Sequence, residues 1–145
     1  MRLNHISIIV KDVEKSKKFY KEMLGLECTF EQKIGGQQFS KVIGKKNVEL
    51  KFAVLQTNSD VILELVQFIN TDERINNDFR HIAFEVLHVD ELYKKLKDKK
   101  IETLSEPVTI TDSNEKINGK RFFYFKDLDG NLVELFNKKE NLYSN

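Results

Sequence analysis

The chain contains an internal repeat, and this feature constrains its fold more than any other. The segment HISIIVKDVEKSKKFYKEM, which begins at His5, matches HIAFEVLHVDELYKKLKDK, which begins at His81, apolar residue for apolar residue and charge run for charge run. A second match lies near the end of each half, where VILELVQF around Glu64 corresponds to NLVELFNK around Glu134. Each half therefore begins with a segment that carries a histidine and ends with one that carries a glutamate.

The spacing of apolar residues predicts the same elements in both halves. A β-branched run from His5 to Val10 is typical of a buried strand, and the apolar residues after it recur at helical spacing. Asp12 is a suitable N-cap for this helix and Gly25 a suitable stop. The second half repeats this pattern. Strand-like runs follow each helix, at 27–32, 48–55 and 61–68 in the first half and at 103–110, 121–126 and 132–137 in the second.

We therefore predict one α+β domain over residues 1–145, in which residues 1–70 and 79–138 form two βαβββ modules. The first module also carries the insertion GGQQFSKVIGKKN at 35–47, whose apolar residues between Gly36 and Gly44 predict a short extra helix. The sequence DLDGN at 127–131 predicts a tight turn between the last two strands.

Charge, cysteine content and apolar runs limit the partners and the cellular compartment that we expect. The 24 basic and 23 acidic side chains are interleaved and leave a formal net charge of +1, which argues against a nucleic-acid groove with its clustered Lys and Arg. Cys28 is the only cysteine, so an intrachain disulfide is excluded, which suits a reducing compartment. The start of the chain has no leader pattern, and no apolar run approaches ~18 residues. We expect a cytoplasmic protein with a small-molecule substrate and no membrane contact.

The two histidines and two glutamates have one shared explanation. Glu64 and Glu134 interrupt apolar runs, where an unpaired carboxylate is costly to bury. A divalent cation bound by His5, Glu64, His81 and Glu134 would form a neutral complex and could keep coordination sites open for substrate. Taken singly, each histidine could be a capping or surface residue and each glutamate could lie on a solvated face. The repeat favours the metal, because it places both pairs in matching positions.

The same segments resemble the vicinal oxygen chelate superfamily, which includes glyoxalase I, methylmalonyl-CoA epimerase, fosfomycin-resistance proteins, extradiol dioxygenases and bleomycin-resistance proteins. The resemblance covers essentially the whole chain, from LNHISIIVKDVEKSKKFYKEMLGLE through RHIAFEV to GKRFFYFKDLDGNLVELF. It implies that the two modules curl into a partly open mixed-sheet barrel around one divalent metal ion (Ni²⁺, Zn²⁺, Co²⁺ or Mn²⁺). It also leads us to expect a homodimer.

The resemblance also ranks the activities. Glyoxalase I uses His, Glu, His and Glu as ligands in this order, and methylmalonyl-CoA epimerases are similar, often with Gln at the second place. We therefore expect a lyase or isomerase of the glyoxalase I type, which transfers a proton at a carbon next to a carbonyl, with Glu134 and Glu64 as candidate catalytic bases. An epimerase is the alternative. A dioxygenase would leave Glu64 without a role, and drug-binding members of the superfamily usually lack the ligands.

Substrate-binding residues are less constrained by the sequence. Ile9 and Phe68 occupy the places where bacterial glyoxalase I holds glutathione with Arg and Asn, which argues against glutathione. Glu49 roughly matches a second base of the epimerases, although its neighbour Lys51 also fits a solvated strand face.

The polar segment 109–120 predicts a mobile flap that covers the substrate. Lys120 and Arg121 at its exit could bind a carboxylate or phosphate of the substrate. The alternative is that both are solvent-facing charges on a hairpin.

Overall fold

The computed structural model describes residues 1–70, 79–128 and 130–138. Its helices are short, and none among the described residues has both the length and the apolar character that a membrane span requires. In chain order the elements are β1 (Arg2–Ile9), α1 (Val13–Leu24), β2 (Glu27–Gly35), α2 (Gln37–Val42), β3 (Glu49–Gln56), β4 (Ile62–Phe68), β5 (His81–Glu85), α3 (Val89–Asp98), β6 (Val108–Thr109), β7 (Arg121–Lys126) and β8 (Leu132–Asn137).

The described strands form one mixed sheet of eight strands in the order β2-β3-β4-β1-β5-β8-β7-β6. β1 pairs in parallel with β4, and β5 pairs in parallel with β8, so the two halves have the same internal arrangement. The antiparallel pair of β1 and β5 joins the halves at the centre of the sheet. β2 and β6 lie at opposite ends of the order, so the sheet does not close into a full barrel. It is a curled half-barrel. The predicted α+β fold with two βαβββ modules is confirmed.

Local sequence explains the ends of the first helix. The Asp12 side chain accepts a hydrogen bond from the backbone N–H of Lys15 at 3.0 Å, as expected of an N-cap. Gly25 has a φ of 69°, a left-handed conformation that glycine adopts without a Cβ penalty, and its N–H donates to the carbonyl of Lys21. Both predicted helix ends are confirmed, and the short helix predicted at 36–44 is α2.

The prediction of a strand at 103–110 was wrong over most of that range. Only Val108 and Thr109 form a ladder, as β6, and Thr103 makes a single isolated bridge to Phe125. Pro107 explains the break, because proline has no N–H to donate to a sheet and its φ is fixed.

Strand alternation separates a concave face from an outer face. On the outer face, α1 packs against β3 and β4 around Val13 and Leu65, and α3 packs against β7 and β8 around Val89 and Phe123. The concave face carries a larger apolar cluster to which both modules contribute. Its fully buried members include Phe39, Val42, Val48, Leu50, Val66, Ala83, Phe122, Tyr124 and Phe136. This cluster surrounds the polar residues described next.

Candidate metal centre

Two rows across the centre of the sheet bring the polar side chains together on the concave face. In the first row, Ser7 on β1 is in register with Glu64 on β4 and with His81 on β5. In the second row, His5 is in register with Ala83, which in turn is in register with Glu134 on β8. Neighbouring rows on one face are two residues apart, so these side chains lie within contact distance.

His5, His81 and Glu134 form a buried cluster, which we call the triad. Their exposed fractions are 4%, 5% and 1%. Oε2 of Glu134 lies 3.4 Å from Nε2 of His5 and 3.1 Å from Nε2 of His81. Candidate ligand atoms of all three residues lie within 4.8 Å of one another, so the triad can hold one divalent ion.

The Nδ1 atom of each histidine lies within hydrogen-bond distance of an oxygen acceptor, which leaves the Nε2 atom available to a metal. Nδ1 of His81 lies 2.8 Å from the backbone carbonyl of Phe79, which can only accept, so Nδ1 must carry the proton. Nδ1 of His5 lies 2.8 Å from Oδ1 of Asn4. Both Nε2 atoms thus point toward Glu134. Nε2 of His5 is buried without a hydrogen-bond partner among the described residues. This arrangement is typical of metal-binding histidines, whose other nitrogen is fixed by an acceptor.

Glu64, the fourth predicted ligand, lies at the edge of the triad rather than within it. Its Oε2 is 3.9 Å from Nε2 of His5, and its side chain is 18% exposed. The hydroxyl of Ser7 donates to its Oε1 at 2.9 Å. The structure therefore brings three of the four predicted ligands together and holds the fourth beside them.

Lys120 lies inside the concave face, in ion-pair contact with Oε1 of Glu134. Its ammonium is 4.7 Å from the ring centroids of Phe122 and Phe136, close enough for cation–π attraction. Tyr124 donates from its hydroxyl to Oε2 of Glu134 at 3.3 Å. Both oxygens of Glu134 are thus engaged by neighbouring groups.

Sequence reasoning missed the roles of Tyr124 and Ser7. A signal for Tyr124 was present, because the turn at 127–131 fixes the register that sets Tyr124 opposite Glu134. For Ser7, strand alternation placed the side chain on the face of His5 but gave no hydrogen-bond partner.

The charges of the triad shift the pKa values of its members. Burial raises the pKa of Glu134, but Lys120 and the two imidazoles outweigh burial and hold this pKa well below its usual range. Burial lowers the pKa of His81, yet the hydrogen bond and charge of Glu134, with the charge of Glu64, raise it overall. Burial and the charges of both glutamates raise the pKa of Tyr124. Glu134 is therefore ionised and Tyr124 protonated at neutral pH.

A cavity of about 60 Å³ adjoins the triad. Its wall is mainly apolar, with four polar side chains, and its volume is far below the roughly 300 Å³ of a typical ligand pocket, so it admits only a small part of a substrate. The segment 110–120 covers part of this cavity, and whether it opens as the predicted flap stays a prediction. The lining residues are Ile34, Phe39, Leu50, Phe52, Glu64, Val66, Phe79, Ile110, Ile117, Lys120, Phe122, Tyr124 and Glu134.

Two predicted substrate-binding residues lie away from the cavity. Glu49 shares the outer strand face with Lys51, which pairs with Glu14 of α1 at 2.6 Å; this placement favours the solvated face over a catalytic role. Arg121 also faces outward, where it forms two hydrogen bonds to Asp90 of α3 at 2.8 and 2.6 Å. Of the three substrate-binding candidates, the structure places only Lys120 at the cavity.

The chain belongs to the Glyoxalase/Bleomycin resistance protein/Dioxygenase superfamily, whose family model matches residues 2–135. The uncharacterized protein YwkD of Bacillus subtilis (strain 168) is 31% identical over 141 residues, which cover 92% of this chain and 94% of YwkD. The mitochondrial methylmalonyl-CoA epimerase of Homo sapiens is 31% identical over 137 residues, which cover 92% of this chain and 72% of the epimerase.

A solved structure shows the same fold. The crystal structure of methylmalonyl-CoA epimerase from Mycobacterium tuberculosis matches with a TM-score of 0.70 at 17% sequence identity, and the match covers 99% of this chain and 91% of that chain. The predicted superfamily is confirmed. The human relative supports the epimerase alternative better than the glyoxalase I type that the ligand pattern led us to expect first.

Proposed function

We propose that the protein is a divalent-metal-dependent epimerase that moves the proton on the carbon next to the thioester carbonyl of an acyl-CoA. The observation that carries this proposal is the position of Glu64. Its carboxylate lines the same cavity as Glu134 yet stands beside the triad rather than inside it. A site that combines three metal ligands with a separate carboxylate has the parts that proton abstraction next to a carbonyl requires.

In this proposal Glu134 serves as a ligand and Glu64 as the base. Lys120, Tyr124 and the two imidazoles all contact the carboxylate of Glu134, which fixes it in place and makes it a weak base. Glu64 has one oxygen held by Ser7, and its other oxygen faces the triad. A base of this kind is oriented but keeps an oxygen to accept a proton.

His5, His81 and Glu134 would hold the divalent ion, and such an ion would supply positive charge to stabilise the carbonyl oxygen as the neighbouring C–H bond loses its proton. Glu64 accepts that proton in our proposal, and because its side chain is 18% exposed it can exchange the proton with water. An epimerase must return a proton to the opposite side of the same carbon. Lys120, next to β7, lines the same cavity as Glu64. We propose that its ammonium group returns a proton to the carbon, and that exchange with water then reprotonates Lys120 and deprotonates Glu64.

Hydrogen exchange in D₂O tests the proposal. Metal-loaded protein is incubated with a panel of acyl-CoA thioesters that includes methylmalonyl-CoA, together with a hemithioacetal, and deuterium at the α-carbon is followed by NMR. We expect exchange with at least one acyl-CoA and loss of exchange in Glu64→Gln, which should keep its metal. Glu49→Gln is the matched control, because that carboxylate lies on the outer face, and it should exchange as the unmodified protein does.

Two outcomes would contradict this assignment. Absence of exchange with every thioester, in protein that carries a full complement of metal, would exclude the epimerase. Conversion of the hemithioacetal alone would instead favour an activity of the glyoxalase I type.

A further inference from the structure

The two modules differ at the site in the residue that faces each glutamate from the neighbouring parallel strand. His5 corresponds to His81, and Glu64 corresponds to Glu134. In the first module, Ser7 is in register with Glu64 on the neighbouring strand. In the second module, the equivalent residue is Ala83, which is in register with Glu134. The same strand geometry therefore presents a hydroxyl to one glutamate and a methyl group to the other.

The two glutamates take different positions in accordance with this difference. Ser7 is only 1% exposed and donates to Oε1 of Glu64 at 2.9 Å. Ala83 has no group to donate, and Glu134 turns its Oε2 toward both histidines, at 3.4 and 3.1 Å. Oε2 of Glu64 lies 3.9 Å from Nε2 of His5.

We propose that Ser7 is a positioning residue that holds Glu64 off the metal. The hydroxyl breaks the symmetry of the repeat, so the site has three protein ligands and one free carboxylate instead of four ligands. This inference rests on the proposed function and deepens it, since it names the contact that makes Glu64 a base. A buried hydrogen bond to a charged acceptor is strong enough to select one carboxylate position over another.

The direction of the Ser7 hydrogen also bears on His81. The hydroxyl oxygen lies 3.1 Å from Nε2 of His81 as well as 2.9 Å from Glu64. Serine has a single hydrogen to donate. Donation to Glu64 leaves the lone pair of Nε2 available to the metal, whereas donation to His81 would block it. A three-ligand site therefore requires the bond from Ser7 to Glu64.

Metal titration of four proteins tests the inference: the unmodified chain, Glu64→Gln, Ser7→Ala and the double variant. Dissociation constants for Zn²⁺ are measured by competition with a chromophoric chelator, and Co²⁺ absorption reports the coordination number. In the unmodified chain we expect Glu64→Gln to leave the Co²⁺ spectrum unchanged, because Glu64 is not among the ligands and its loss alters no coordination number. Ser7→Ala should tighten Zn²⁺ binding and shift the Co²⁺ spectrum toward a higher coordination number, as Glu64 joins the ligands. Glu64→Gln should abolish this gain in the double variant.

Ser40→Ala is a matched control, because Ser40 is also a buried serine of the first module, and its hydroxyl accepts from the N–H of Val48 at 2.9 Å. It should leave the Zn²⁺ dissociation constant unchanged. If Glu64→Gln lowers the coordination number of Co²⁺ in the unmodified chain, Glu64 is already a ligand and the inference is overturned. That comparison decides the matter even where Ser7→Ala fails to fold. Absence of Zn²⁺ binding by the unmodified chain would instead overturn the proposed function.

Discussion

The ammonium group of Lys120 forms an ion pair with Oε1 of Glu134, the oxygen of that carboxylate that points away from the two histidines. Glu134 is almost fully buried, at 1% exposed, and Lys120 is 20% exposed at its side chain. The lysine thus supplies a positive charge to a carboxylate that would be costly to bury alone. It also leaves Oε2 as the oxygen that faces a metal.

Removal of this charge should destabilise the protein. We expect Lys120→Met to lower the free energy of unfolding of the metal-free protein by about 3 kcal/mol, because a buried carboxylate loses its main partner. Added Zn²⁺ should recover part of the loss, since the ion replaces the missing charge. Urea denaturation with and without Zn²⁺ measures both effects. Lys120→Arg, which keeps the charge, is the control, and equal stability of the Met variant and the unmodified chain would contradict the account.

The neighbouring cation should behave differently. Arg121 pairs with Asp90 on the outer face, with side-chain exposures of 35% and 64%. Water screens such a pair, so we expect Arg121→Ala to cost at most about 1 kcal/mol. Zn²⁺ affinity and α-proton exchange should stay unchanged. A loss of substrate affinity in Arg121→Ala would revive the predicted contact between Arg121 and the substrate.

The sequence predicted the triad because a repeat fixes strand parity. His5 and His81 each begin a strand, and Glu64 and Glu134 each interrupt one, so alternation sets all four on one face of the sheet. The repeat could not predict that Glu64 stands apart. The repeat does not carry the contacts that distinguish the two glutamates: the hydroxyl of Ser7 donates to Glu64, whereas Lys120 and Tyr124 contact Glu134.

The substrate-binding candidates show a second limit. Alternation predicts that Lys120 and Arg121 point to opposite faces, but it does not say which of them points inward. The preceding segment, 110–120, is irregular in the structure, so no periodic pattern carries the parity from β6 into β7. The same limit applies to Glu49, whose face depends on where β3 begins.

The stability of the metal-free protein should fall toward both acid and alkaline pH. Despite burial, the pKa of Glu134 lies well below its ordinary 4.5, so the stability it contributes is present above about pH 4.5 and is lost as the pH falls. The pKa of His81 is raised above 6.5, so its contribution is present below about pH 6.5 and is lost as the pH rises through the folded value.

Urea midpoints from about pH 2 to about pH 9 measure these two limbs. Glu134→Gln should flatten both of them, because Glu134 also causes the shift of His81. An alkaline limb that persists unchanged in this variant would show that another group is responsible.

Cavity size should set the length of acyl group that the protein accepts. Ile117 is 9% exposed and lines the cavity. Ile117→Ala should cost about 2–5 kcal/mol of stability and enlarge the space beside the triad. We expect α-proton exchange to shift toward longer acyl groups. Val133→Ala, a buried truncation in the outer cluster under α3, should destabilise without this shift; the same selectivity in both variants would count against the assigned cavity.

The central claim is that His5, His81 and Glu134 hold one divalent ion, and the most direct test is the metal content of purified protein after dialysis against Zn²⁺. Elemental analysis should find about one ion per chain in the unmodified protein and in Glu64→Gln, since three ligands leave an open position on Zn²⁺. His5→Ala, His81→Ala and Glu134→Gln should each lose most of it, while circular dichroism shows that the sheet remains folded. Full retention of Zn²⁺ in these three variants, or its absence from the unmodified protein, would contradict the account.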